Sequence, residues 1–124
     1  MNDDLRAHGI RTLRDSATLR ELGHRYMIDL ADIGTFNHNP SLLYQEQLKM
    51  GIRNPPLVAD LIALGQKSPA QVVASWRNSP PHNGFLVDSM WKVAGVGCVY
   101  AENKSWNGTY LGSWAYWWTF LLQE

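Results

Sequence analysis

The chain has 124 residues, and eleven basic side chains balance eleven acidic ones, so its formal net charge at neutral pH is zero. With 45% apolar and 18% charged residues it has the composition of one globular domain with its own core, not of a disordered segment. The balanced charge and the lack of any basic run exclude the usual electrostatic footprint of a nucleic-acid binder, the single Cys98 excludes an intrachain disulfide framework, and no apolar stretch reaches the ~18–20 residues that span a bilayer.

In chain order, Met1-Asn-Asp-Asp-Leu-Arg6 is polar and acidic and lacks the apolar region of a signal peptide. Taken as the true start, it implies a chain that stays in the cytoplasm or is carried in an assembly; if the chain is a trimmed form, an extracellular place is implied. Leu5 to Leu13 reads as a short helix broken at Gly9. The next helix carries Leu19, Leu22, Tyr26, Leu30 and Ile33 at spacings of 3, 4, 4 and 3, which puts them on one face. Asp15 or Ser16 caps its start, and Gly34 supplies the left-handed residue that ends it. Pro40 and Ser41 open a shorter helix through about Met50, closed by Gly51. Asn54-Pro-Pro56 breaks the chain, and Leu57 to Leu64 fits a helical turn or a buried strand equally well.

Ser68 and Gln71 form a capping box with Pro69 at the first helical position, and Val72, Val73 and Trp76 share a face. Pro80 and Pro81 stop that helix, bias Ser79 and Pro80 toward extended backbone, and hold His82 on a stiff connection. Trp91 to Tyr100 reads as a strand, with Gly95 and Gly97 admitting close backbone approach; Cys98 in this run is expected as a buried, inert thiol. Asn103 to Gly112 is turn chemistry around Asn107-Gly108, a hairpin signal. Tyr116 to Leu122 is an aromatic strand. Its alternation puts Trp114, Tyr116, Trp118 and Phe120 on one face and Trp117, Thr119 and Leu121 on the other. Helices first and an antiparallel pair last define an α+β fold, with Trp76, Val96, Val99 and Trp118 expected in the core.

Two histidines stand just past helix ends: His38 in Phe36-Asn-His-Asn-Pro40, and His82 after the Pro-Pro step. Their placement points to a shared site. His8 and His24 fall outside it.

These segments, with Ala59-Asp-Leu-Ile-Ala-Leu-Gly-Gln66, Trp76-Arg-Asn-Ser-Pro-Pro-His82, Ala94-Gly-Val-Gly97 and Tyr116-Trp-Trp-Thr119 in this order, resemble the CAP superfamily (cysteine-rich secretory proteins, antigen 5, pathogenesis-related proteins), and most closely its disulfide-free bacterial SCP-like branch. The resemblance runs from about Asp4 to Leu121, so all 124 residues are read as one such domain. It implies a three-layer α-β-α sandwich with a small antiparallel sheet between helices, and a cleft holding two histidines and acidic residues. His38 matches the first histidine and His82 the second. Asp60 stands where glutamate is usual, and Ser79, without a carboxylate, near the second acidic position.

Two imidazoles and one carboxylate are a legitimate shell for a divalent metal such as zinc, with His38 and His82 as the ligands and their imidazoles expected about 4–7 Å apart, within reach of a common ion. The bland alternative is that both rings hydrogen-bond loops and hold the cleft in shape. A metal-dependent hydrolase acting on cell-surface peptide or glycan would need Asp60 or Ser79 to assist a metal-bound water. Ser79 as a nucleophile lacks a strained-elbow context. The shortened acid at Asp60 and the missing one at Ser79 favour a non-enzymatic binding module. Its partner would be a surface polymer or neighbouring protein subunits, met through the cleft or Trp106, in one variant within a larger assembly such as a virion. Most of the other tryptophans are expected in the core.

Overall fold

Each helix begins where a side chain satisfies an orphan N–H and ends where the backbone can turn. Helix α1, Ala17–Ile33, is capped by Ser16, whose Oγ accepts from Leu19 N–H at 3.1 Å, and it closes on Gly34 at φ 79°. Asn39 caps α2, Pro40–Lys49, through Oδ1 on Leu42 N–H at 3.1 Å, and Gly51 follows at φ 83°. Ser68 caps α3, Pro69–Arg77, and Gln71 reaches back to Lys67 N–H at 2.8 Å. This computed structural model describes residues 13–34, 37–87, 90–102 and 114–123, with the backbone alone at Pro81, Phe85–Val87, Glu102 and Trp114. The expected Leu5–Leu13 helix (Leu13 apart) and the Asn107-Gly108 hairpin lie outside these residues.

One element departs from the sequence reading. The two prolines do end α3, but they open a new helix, α4, Pro80–Val87, so His82 stands in a helical first turn and not on an extended connection. The reason is positional: the first two residues of a helix need no N–H, so two prolines fit there, and Asn83 N–H bonds Ser79 O at 2.8 Å to close the turn.

The ambiguous run before α3 is a strand, β2, Ala59–Leu64. With β1, Arg14–Asp15, β3, Val93–Glu102, and β4, Trp114–Gln123, it makes a sheet in the order β1-β3-β4-β2. The β3–β4 and β4–β2 pairings are antiparallel; the two-residue β1 adds a parallel edge, Arg14 against Val93. Pairing with β4 decides the fate of β2: Leu61 and Ala63 point to one cluster, Ile62 to the other.

Helical layers cover both faces. On one, Leu19, Leu22, Tyr26, Met27 and Leu30 of α1 and Leu43 of α2 pack on Ile62, Trp117 and Leu121. On the other, Val72, Val73 and Trp76 of α3 pack on Leu61, Trp118, Phe120 and Leu122. The aromatic strand thus divides its side chains as the alternation predicts. Trp76 and Trp118 are core residues, while Val96 and Val99 are half-buried against the clusters. Cys98 is half-buried too, and burial raises its thiol pKa. Ile33, the last residue of the expected apolar stripe, is exposed although Leu30 and Ala31 of the same turn are buried.

Helix α1 lies unusually close to β3. An added Cβ at Gly95 would sit 2.5 Å from Arg20 N and Leu19 C, and one at Gly97 would sit 2.4 Å from Gly23 C. Glycine is required at both points, since the obstacles are backbone. This contact sets the height of α1, and so of Tyr26, above the sheet.

Candidate functional site

Tyr26 is the one hydroxyl-bearing residue of the expected α1 stripe, and its body is fully buried. A buried phenol needs partners, and it has two. Asn39 N–H donates to Tyr26 Oη at 2.8 Å, and Tyr26 Oη–H donates to Asp60 Oδ2 at 2.9 Å. Burial, first, and the negative charge of Asp60 hold the phenol pKa far above its ordinary value, so it remains a donor.

Asp60 sits near the start of the edge strand β2 with its side chain 12% exposed. The same Oδ2 lies 2.9 Å from His38 Nδ1. One methylene shorter than glutamate, the aspartate still reaches, because His38 comes from the segment that Asn39 anchors on Tyr26. That segment leaves the His38 side chain 48% exposed. The carboxylate therefore stands behind the imidazole as an orienting group, and the ring presents Nε2 outward.

His82 arrives from the opposite helical layer. Its Nδ1 lies 3.0 Å from Ser79 Oγ across the first turn of α4. The two rings are 6.5 Å apart between centroids and inclined at 42°. Burial lowers the His82 pKa below its ordinary 6.5; the neighbouring His38 adds to the effect, and Asp60 partly opposes it.

The structure thus brings together His38, Asp60, His82 and Ser79. Tyr26 and Asn39 join them although sequence reasoning gave them no part. The available signal was a lone hydroxyl on an apolar helical stripe. His24 is exposed on α1; His8 and Trp106 lie outside the described residues. Among the described residues, no three His, Cys, Asp or Glu side chains gather as a group able to hold a metal ion. The two imidazoles are the nitrogen donors at this place.

A separate acidic pair joins α1 to α2. Glu46 is almost fully buried, with Lys49 Nζ at 3.2 Å and Arg25 Nη1 at 3.6 Å. Burial and a hydrogen bond to Glu46 raise the Asp29 pKa to about 6, with Asp32 adding to the rise and Lys49 opposing it. That same bond lowers the pKa of Glu46.

Two helices on each side of a small, mostly antiparallel sheet, in this order, make a CAP-like α+β fold. Solved structures with this fold include an extracellular protein containing an SCP domain from Bacillus anthracis (20% identity, TM-score 0.67, 98% of this chain and 37% of that one) and a cysteine-rich secretory protein from Staphylococcus aureus (14% identity, TM-score 0.66, 99% and 35%). A third is an outer surface protein of Borrelia burgdorferi, at 16% identity and TM-score 0.65, with 99% of this chain and 86% of that one covered. At such identities the likeness is one of fold. The chain spans little more than a third of the length of the first two. No family model matches the sequence, and no curated protein matches it either.

Proposed function

We propose that this domain is a non-enzymatic CAP-like binding module that contacts a surface polymer through the face carrying His38 and His82. The observation that supports this most is how Asp60 is used. Its Oδ2 takes hydrogen bonds from both Tyr26 and His38 and stands behind the ring, so it fixes the imidazole as a recognition group with Nε2 free for a ligand. Ser79, near the second acidic position, has no carboxylate, so that position offers no second acid for a hydrolytic pair. Ser79 is also a poor nucleophile here, since the residue after it is Pro80, with no N–H to stabilise an oxyanion. An extracellular setting fits the structural neighbours, which are described as outer surface, extracellular and secretory proteins.

The test is co-sedimentation of the purified chain with isolated cell-surface material, against a His38→Ala, His82→Ala double variant. Retention of the native chain and loss of at least about tenfold in affinity for the variant is expected. Equal retention of both, or hydrolysis of the material that the double variant lacks, overturns the reading.

Zinc is the second reading, favoured by the Asp60–His38 pair, which is the arrangement that orients metal-ligating histidines. His38 and His82 would hold the ion, one donor short of the three protein ligands usual at catalytic zinc. Calorimetry with zinc on native and double-variant chains decides it.

A further inference from the structure

The hydrogen-bond chain behind His38 has a fixed direction. Asn39 N–H is a donor and nothing else, so the Tyr26 oxygen, 2.8 Å away, accepts from it. The tyrosine proton is then committed to Asp60 Oδ2 at 2.9 Å. That oxygen is an acceptor toward His38 Nδ1 as well, at 2.9 Å. In the neutral ring the proton therefore sits on Nδ1, and Nε2 is left as a lone-pair acceptor.

His82 is wired differently. A serine at a helix N-cap ordinarily spends its side-chain oxygen on an N–H of the second or third helical residue. The first two residues of α4, Pro80 and Pro81, offer no N–H, which leaves His82 as the first residue of the helix that can meet the serine. Ser79 Oγ meets the ring of that residue at Nδ1, 3.0 Å away. A hydroxyl rotates freely and can donate to Nδ1 or accept from it; in the donating form His82 carries its proton on Nε2.

We propose that the pair reads an uncharged, hydroxyl-bearing ligand, a neutral glycan, with His38 Nε2 accepting from a sugar hydroxyl and His82 Nε2–H donating to it. This rests on the binding-module reading above and names its ligand chemistry. A hydroxyl is the small group that both gives and accepts. Two hydrogen bonds of ~2.8 Å meeting at the roughly tetrahedral angle of a hydroxyl oxygen set the two nitrogens about 4.6 Å apart, within the range open to two imidazoles whose centroids are 6.5 Å apart. A phosphate or carboxylate brings a negative charge, and would set it against the His38 lone pair with the Asp60 carboxylate behind it. An ammonium offers donors only and leaves the His82 N–H unpaired. Asp60 acts here as a positioning residue, held in place by Tyr26.

The experiment is nitrogen NMR of the imidazoles in the whole chain at about pH 8, above the ordinary histidine range. Chitotriose, cellotriose, maltotriose and inorganic phosphate are added separately at equal concentration. The native chain is expected to show His38 protonated on Nδ1, and at least one trisaccharide to shift the signals of both rings while phosphate shifts neither. Asp60→Ala is expected to move the His38 proton to Nε2 and to weaken trisaccharide binding by at least about tenfold. His38 protonated on Nε2 in the native chain, a response to phosphate, or silence toward all three trisaccharides overturns the proposal, whatever the variant does. Histidine-dependent retention on surface material combined with any of these results leaves the binding module standing and removes only the glycan inference; loss of that retention removes both.

Discussion

Replacing Gly97 by alanine tests the contact that places α1 on the sheet. The new methyl would lie 2.4 Å from Gly23 C and 2.7 Å from both Gly23 O and His24 N. Ordinary carbon contacts run ~3.5–4.0 Å, so the helix must rise by roughly 1 Å or the strand must bend. Neither obstacle is a side chain that could turn away. Inserting a methyl into a packed core costs about 1–3 kcal/mol, and the purely backbone obstruction puts this case at the upper end, about 3 kcal/mol. Alanine's better strand propensity returns only a few tenths of that. Urea unfolding with an unchanged slope would read the loss as a lower midpoint. Gly84→Ala is the control: nothing lies within 4 Å of its added Cβ, and in the helix α4 it should stabilise by about 0.5–1 kcal/mol. Lifting α1 also lifts Tyr26, so the His38 imidazole signals should shift in Gly97→Ala and not in Gly84→Ala. A Gly97→Ala chain within about 0.5 kcal/mol of native would refute the close packing.

Tyr26→Phe removes the shared hydroxyl and leaves Asn39 N–H and Asp60 Oδ2 each one partner short; denaturant melts should show a loss of about 1–3 kcal/mol. Ser68→Ala strips the α3 cap from Gln71 N–H, and the same melts should register about 0.5–2 kcal/mol. For Asp29, the folded pKa of about 6 exceeds the ordinary 3.8, so the folded chain binds more protons between those values and gains stability as pH falls through 6. Asp29→Asn should therefore be the more stable protein at pH 7.5, and its advantage should shrink as pH drops from 6 toward 3.8. His82 has the opposite sign. Its folded pKa lies below 6.5, so the unfolded chain binds more protons just under that value, and stability falls with acid there. His82→Gln should flatten that part of the stability–pH curve.

Whatever depends on neighbours a few residues apart was legible in the sequence. Ser16, Gly34 and Ser68 act on backbone groups within four positions of themselves, and the strand alternation of β4 follows from the pleat. His38 and His82 stood out by their places just past helix ends, and Asp60 and Ser79 by the resemblance, which knows order and spacing but not hydrogen bonds. Local reasoning failed where two structures satisfied the same local rule: Pro80-Pro81 forbids continuing a helix and permits starting one. Leu57 to Leu64 was undecidable for the same reason, until pairing with β4 chose the strand. The site itself belongs to tertiary structure. Tyr26 and Asp60 are 34 positions apart and His38 and Asp60 are 22 apart. No periodicity encodes those separations. They are met because Gly95 and Gly97 let α1 settle on β3 while the register of β2 on β4 brings Asp60 beneath Tyr26. His82 comes from the other layer, so its approach to His38 depends on both helical layers closing on one sheet, which is a property of the packed chain and of no segment alone.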